Sequence, residues 1–313
     1  MVTRQIRLDG PGVRGVRVSG TLLRDLLSIV IEGSQQALRI RTQGRSTARG
    51  ALPAWIAAAS EFSVCIREGS TVLELELPTL VETNPEEFRQ RQLFPEVDPD
   101  LPAFDYLAES VEAALEGEQR ANLYDRSMLK LLGRLDVAFS RGISDIVLEA
   151  CDSGRQPRSV KLARQALSGL KALQSKIPRP RRVRIAGKLD SIRHSDQTFT
   201  LLLPELGETI KGIAELAHVG DLQTLWGRDV VVSGTVHFTA SGGVQRIEAE
   251  ALTSATPEDL HLWQAAPAPL AERIEVSGLR IAQGPRLGVN AIFGQWPGNE
   301  SDEEVEQALE NLS

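Results

Sequence analysis

The sequence predicts an α+β protein, because the spacing of its apolar residues changes along the chain. Residues 1–84 alternate between strand and helix patterns, which indicates a small sheet with helices on one face. Residues 85–177 carry apolar side chains three and four positions apart, which predicts a helical region that connects two domains. Residues 178–256 show period-two segments in the order of an OB-like, five-stranded β-barrel. Residues 257–313 are predicted to form a linker and an acidic, amphipathic tail helix.

Residues 1–84 contain the predicted elements of the N-terminal sheet. A first strand, RQIRLDG, precedes a helix, TLLRDLLSIVIEGSQQ, for which Thr21 is the predicted N-cap. The next segment, ALRIRTQG, is predicted to be a strand, and LPAWIAAASEF a short helix that begins near Pro53. FSVCIREGSTVLELELP alternates on both sides of a Glu-Gly-Ser turn and therefore predicts a hairpin.

The helical region opens with a connector, residues 85–102, which is rich in proline and charge. Three helices are predicted after it, over AFDYLAESVEAALEGE, LYDRSMLKLLGRLDVAFSRG and SVKLARQALSGLKALQSK. The last helix and the PRPRRVR segment that follows it form a basic strip. Its candidate nucleic-acid contacts are Lys161, Arg164, Arg181, Arg182 and Arg184. Such a strip is either a solvated surface or a surface that contacts phosphates or a partner.

The barrel segments are VRIAGKL, TFTLLL, GETIKGI and the two strands within RDVVVSGTVHFTASGGVQRIEAEAL, with a short helix predicted over ELAHVGDLQTLWG. Gly187 permits the bend that a small barrel needs at a corner. Proteins that bind single strands combine a positive groove with aromatic platforms. Between Arg179 and Ala255 basic and acidic residues are equal in number and aromatic residues are few. A protein-binding or structural barrel is therefore favoured, and nucleic-acid binding is the alternative.

Length and composition are those of a globular chain with two domains. The chain has 313 residues, of which 42% are hydrophobic and 25% charged, and its formal net charge is −7. This charge disfavours a protein that coats nucleic acid without sequence preference, since such affinity comes from lysine and arginine. No apolar run is long enough for a bilayer and the N-terminal residues lack a signal-peptide pattern, so we expect a cytoplasmic protein.

The sequence contains none of the common catalytic motifs considered below. It contains no phosphate-binding Gly-rich loop with Lys and Ser/Thr, and no HExxH, GxSxG or CxxC motif. The four histidines are scattered, and Cys65 and Cys151 have no neighbours at metal-ligand spacing, so reduced structural thiols are expected. We therefore expect a protein that is not an enzyme, with no catalytic residues, metal ligands or cofactor.

The last eighteen residues, WPGNESDEEVEQALENLS, differ in character from the rest of the chain. They hold six acidic residues and no basic one. Ser301 and Glu304 have the spacing of a capping box, and Val305, Leu309 and Leu312 form one narrow apolar stripe. A helix of about eleven residues is marginal alone in water, so it needs a surface to lie on. That surface is either the protein's own body or a partner.

The segment GQWPGNESDEEVEQALENLS resembles the carboxyl-terminal tail of bacterial antitoxin-like proteins that pair with PIN-domain ribonuclease toxins. The resemblance covers about twenty of 313 residues. It implies a non-enzymatic protein whose tail docks on such a toxin and neutralises it. Glycine and proline around Ile292 and Phe293 fit an extended tether with apolar anchors.

The resemblance also implies roles for the tail residues. Phe293 and Trp296 are expected to fill apolar pockets on the toxin, while Pro297 limits the entropy lost on docking. Val305, Leu309 and Leu312 are expected to cover a second patch. On the basis of its charge alone, Arg286 is the nearby cation that could reach the metal-binding carboxylates of a PIN domain and compete with the metal. Two other hypotheses stay open: a nucleic-acid module that uses the barrel and the basic strip, and a scaffold in a bacterial assembly.

Overall fold

The structure of the protein is a computed structural model. It describes residues 1–13, 17–48, 50–67, 71–84, 97–152, 154–193, 198–203, 207–214 and 224–270, together with Ser301 and Glu303. The chain divides into two units, Met1–Leu270 and Ala271–Ser313. All the elements given below belong to the first unit.

The first unit begins with the N-terminal lobe, residues 1–177, which contains a five-stranded antiparallel sheet and its helices. The elements in chain order are β1 Val2–Asp9, α1 Gly20–Gln43, α2 Ala54–Ala59, β2 Ser63–Ile66, β3 Val72–Leu77, α3 Leu80–Thr83, α4 Ala103–Glu116, α5 Arg126–Leu132, α6 Asp136–Ser140, β4 Asp145–Cys151, β5 Pro157–Ala163 and α7 Ala166–Lys176. Short 3₁₀ turns occupy Glu118–Leu123 and Gly133–Leu135.

The strands of this sheet lie in the order β2-β3-β1-β4-β5. At its centre Ile6 pairs with Leu73 on one side and with Leu148 on the other. These three side chains are buried, as the alternation of apolar residues in each strand requires when one face meets a core. Arg4 of β1 donates to both carboxylate oxygens of Asp105 in α4 at 2.8 and 2.7 Å, which ties the sheet to the helical layer.

Helix α1 is longer than predicted and absorbs the segment ALRIRTQG, for which a strand was predicted. Residues 37–40 are all buried, so the helix continues along the core until Gly44, whose φ of 70° provides a left-handed C-cap. Thr21 lies inside the helix rather than at its N-cap, which is Ser19. The apolar spacing of a short segment fits both structures, and burial against the core decides for the helix.

The second difference concerns residues 145–163, which lie in the predicted helical region but form β4 and β5 of the sheet. The segment from Ser159 to Lys176 was predicted as one helix, whereas it is strand up to Ala163 and helix α7 only from Ala166. Val160 and Leu162 alternate with exposed residues, and this short period of two is masked in the sequence by the longer helical period that follows it. The predicted middle helix is likewise divided into α5, a 3₁₀ turn and α6.

The second part of the unit is the closed, five-stranded barrel that the sequence predicts. Its strands are β6 Arg181–Arg193, β7 Thr198–Leu203, β8 Glu208–Ala214, β9 Asp229–Phe238 and β10 Val244–Ser254, and helix α8 Pro257–Trp263 follows them. The closed order is β10-β8-β7-β6-β9, with β8 and β10 parallel and the other pairs antiparallel. This pairing is that of an OB-like Greek-key barrel. The helix predicted before Gly227 falls mostly outside the described residues.

Two glycines allow close packing in the barrel wall. Gly187 is buried within β6, and a Cβ atom there would lie 2.6 Å from the carbonyl oxygen of Leu202. The space at Gly234 of β9 is smaller still, because a Cβ atom there would lie 2.2 Å from the carbonyl oxygen of Glu248. The barrel encloses its own apolar core, which includes Leu201 and Val232.

Candidate functional site

The barrel contacts the N-terminal lobe through β10. The side-chain nitrogen of Gln245 donates to the carbonyl oxygens of Ala121 and Tyr124 at 3.2 and 2.9 Å. Both acceptors lie between α4 and α5, so the barrel docks on the backbone at the start of α5. These two hydrogen bonds join strand β10 of the barrel to the N-terminal lobe.

Asp125 lies buried at this junction and is only 6% exposed. Its carboxylate caps α5 by accepting from the backbone N–H groups of Ser127 and Met128, both at 3.0 Å. It also accepts from the backbone N–H and the hydroxyl of Ser46 at 3.0 and 2.7 Å. The Nη1 atom of Arg246 from β10 lies 3.7 Å away. One carboxylate therefore joins α5, the loop after α1 and the barrel.

Arg246 is 5% exposed and extends the cluster across the barrel surface. Its Nε lies 3.3 Å from Glu248, and its Nη2 lies 3.3 Å from Nδ1 of His237. Arg45 approaches the same Glu248 at 3.9 Å. Burial raises the pKa of Glu248, but the contact with His237 and the positive charges of Arg246 and Arg45 outweigh it and lower that pKa to about 2. Glu248 is therefore an anion at neutral pH.

A cleft of about 700 Å³ opens beside this cluster, and we call it the junction cleft. It lies between the start of α5 and strands β9 and β10. Its charged and hydroxyl-bearing lining comprises Arg45, Thr47, Asp125, Arg126, Ser127, Lys130, Thr235, His237, Arg246, Glu248 and Glu250. The sequence does not single out Arg45, Arg126 or Lys130, because they lie outside both the barrel and the basic strip that follows residue 160. The four-residue spacing of Arg126 and Lys130 in a short helix was the available signal.

A second cleft, of about 420 Å³, lies where the end of α1 faces β6, β7 and β8, and we call it the barrel-face cleft. Arg41, Arg193, Lys211 and Arg246 line it, and none of the described residues that line it is acidic. Arg41 forms an ion pair with Glu109 and lies over the ring of Tyr106 at 5.9 Å. Four cationic side chains therefore lie in a cleft that borders strands β6, β7 and β8 of the barrel.

The predicted basic strip is distributed over two different elements. Lys161 lies in β5 and pairs with Asp145 at 3.2 Å, and Arg164 follows the same strand and is exposed. The other members lie in β6 of the barrel: Arg181 donates to the carbonyl oxygen of Ala268 at 2.8 Å, Arg182 pairs with Glu250, and Arg184 is exposed. The strip is therefore not one helix face, and two of its cations already have carboxylate partners.

The predicted tail contacts lie outside the described residues. This applies to Arg286, Phe293, Trp296, Pro297, Val305, Leu309 and Leu312. Of the predicted capping box, Ser301 is described and Glu304 is not.

The described residues contain no group of three or more His, Cys, Asp or Glu side chains that could hold a metal ion. Cys65 and Cys151 are free thiols, although Cys65 is exposed. None of the helices in the described ranges combines the length and apolar character needed to cross a bilayer. Comparison of the chain with known protein families, curated proteins and solved structures finds no match in any of the three. The fold and the two clefts therefore have to be interpreted from their own chemistry.

Proposed function

We propose that this chain is a non-enzymatic, cytoplasmic partner-binding protein of the antitoxin kind, whose tail docks on a PIN-domain ribonuclease and neutralises it. The observation that carries the proposal is the tail sequence WPGNESDEEVEQALENLS, with an apolar stripe of Val305, Leu309 and Leu312 beside its acidic residues. A short amphipathic helix lacks enough internal stabilisation to persist alone, so its stripe requires an apolar surface.

The packing of residues 1–270 supports a body that folds without the tail. Its buried apolar residues form two clusters, one in the N-terminal lobe and one in the barrel. On the toxin, Phe293 and Trp296 act as buried anchors, and Arg286 reaches toward the carboxylates that hold divalent metal in a PIN domain.

The test measures cleavage of a fluorescent RNA by a PIN-domain ribonuclease from the same genome while the full chain is titrated in. We expect the wild-type chain to inhibit cleavage. The double variant Trp296→Ala/Leu309→Asp is expected to need at least about tenfold more protein for the same inhibition, because it loses an anchor and places a charge in an apolar contact.

Gln307→Ala is the matched control, since the sequence spacing of the proposed helix assigns residue 307 to the face opposite Leu309, and its replacement keeps the apolar stripe. The control should inhibit as the wild type does. Equal inhibition by the wild type and the double variant, or no inhibition by the wild type, contradicts the proposal.

A second candidate function is binding of single-stranded nucleic acid on the barrel-face cleft. The composition of its lining favours this function, because four cations and no described acid surround it.

We expect a fluorescein-labelled oligothymidylate to bind with an affinity that falls steeply with salt. Lys211→Glu should weaken binding by about tenfold or more, whereas Lys176→Glu, a reversal in α7 away from the cleft, should have a much smaller effect. If the fluorescence polarisation of the labelled oligothymidylate does not change when the protein is added at low salt, this candidate function is contradicted.

A further inference from the structure

We propose that the junction cleft is a binding site for a compact phosphate-bearing ligand of the size of pyrophosphate or a nucleoside diphosphate, held by Arg45, Arg126 and Lys130. The proposal is independent of tail docking, since every residue that carries it belongs to the first unit. It rests on the charges that line the cleft, on the partners those charges have, and on the cations buried beside them.

The carboxylates of the cleft are already engaged by other groups. Asp125 accepts four hydrogen bonds and faces Arg246 at 3.7 Å. Glu248 is shared by His237, Arg246 and Arg45. Glu250 forms an ion pair with Arg182. The carboxylates that line the cleft therefore leave little negative charge to neutralise the other cations of the lining.

Arg126 and Lys130 are the cations of the cleft that these carboxylates do not neutralise. They lie four residues apart in α5, line the same cleft, and have no carboxylate partner in the part of the chain that the structure describes. Two like charges at this spacing repel each other on a helix. An anion placed between them would relieve this repulsion and gain charge-assisted hydrogen bonds.

Arg39 adds a further cation close to Arg45. It is 8% exposed, and its Nε is buried without an acceptor among the described residues. Burial lowers the pKa of Arg39, and the neighbouring charge of Arg45 lowers it further. The Nε of Arg45 is also buried without an acceptor. Buried N–H groups without an acceptor are costly, and Arg45 shares its one carboxylate, Glu248, with Arg246 and His237, so a bound anion near Arg45 would stabilise this region.

The geometry and chemistry of the cleft select a phosphate rather than an apolar ligand. Arginine forks match phosphate oxygens in pairs, and lysine supplies a compact charge. Thr47 and Ser127 also line the cleft, and their hydroxyls are neutral groups that can donate to the remaining phosphate oxygens. A volume of about 700 Å³ accommodates a nucleotide-sized ligand.

The test is isothermal titration of the full chain, in a buffer free of phosphate, with sodium pyrophosphate, ADP and a single-stranded oligonucleotide in separate experiments. We expect pyrophosphate and ADP to bind with dissociation constants of about 10–100 μM. Arg126→Gln/Lys130→Gln should weaken both by at least about tenfold, because two charge-assisted contacts are lost. Neither side chain has a partner in the described structure, so the variant is expected to fold.

The matched control is Arg164→Gln/Lys176→Gln, which removes two exposed cations that do not line the cleft. It should bind both ligands as the wild type does. Equal loss of binding in both double variants would indicate a general charge effect and overturn the site. Absence of pyrophosphate binding up to about 1 mM, or binding of the oligonucleotide alone, would also overturn it. Trp296→Ala/Leu309→Asp disables the proposed tail contact and should leave pyrophosphate binding unchanged, which separates this proposal from tail docking.

Discussion

Replacing Asp125 with alanine is expected to lower the free energy of unfolding by about 4 kcal/mol, since the change removes a helix cap and one of the two carboxylates beside a buried arginine. The backbone N–H groups of Ser127 and Met128 lose their acceptor, and Ser46 loses two hydrogen bonds. Arg246 remains 5% exposed with one fewer carboxylate near it. Denaturant unfolding followed by tryptophan fluorescence measures the effect.

Asp136→Ala provides the control for this prediction. Asp136 pairs with Lys171 at 3.1 Å, but both side chains are about half exposed, so the pair is screened by water. Its loss is expected to cost less than about 1 kcal/mol. A double-mutant cycle between Asp125→Ala and Arg246→Met should also give a coupling energy of about 0.5–3 kcal/mol. Similar unfolding free energies for Asp125→Ala and Asp136→Ala would show that the junction cluster does not stabilise the fold.

Much of the fold follows from the sequence because alternation and helical spacing are local signals. The antiparallel pair of β2 and β3 and helix α4 lie close to their predicted positions, and the barrel strands appear in the predicted order. The Glu-Gly-Ser turn predicted between β2 and β3 lies outside the described residues. The differences occur where two patterns overlap. Residues 37–43 fit both a strand and a helix, and only their burial against the N-terminal core selects the helix. Residues 157–163 were merged with the helix that follows them.

The candidate site was harder to predict because tertiary contacts assemble it. Arg45 follows α1, Arg126 and Lys130 lie in α5, and Arg246 lies in the barrel. The four-residue spacing places Arg126 and Lys130 on one helix face, but nothing in the sequence shows that Arg45 and Arg246 share a cleft with them. Counting charges over the barrel alone gives a balance of zero, whereas the lobe that packs on it supplies further cations. The tail is the opposite case, since its local sequence alone motivates the proposed function.

Replacing Gly234 with alanine is expected to destabilise the protein by about 3 kcal/mol or more, because the new methyl group would meet backbone rather than a flexible side chain. Its Cβ would lie 2.2 Å from the carbonyl oxygen of Glu248 and 2.9 Å from Cα of Ala249. Gly234 pairs with Val183 on one side and Ala249 on the other, so β9 cannot shift without breaking pairs in two ladders. Denaturant unfolding gives the change in free energy, and the far-ultraviolet circular dichroism spectrum reports whether the strands remain.

Gly169→Ala tests the same chemical change at a site with free space. Gly169 lies inside α7, and a Cβ atom there has no neighbour within 4 Å. Alanine should stabilise this helix by about 0.5–1 kcal/mol, because glycine has the greater conformational freedom in the unfolded chain. The two substitutions are thus expected to have opposite signs. Tolerance of alanine at position 234, with a melting temperature equal to that of the wild type, would mean that β9 and β10 do not approach as closely as the closed barrel requires.

Since β10 carries Gln245 and Arg246, displacement of that strand in Gly234→Ala should also weaken the contact between the barrel and the N-terminal lobe.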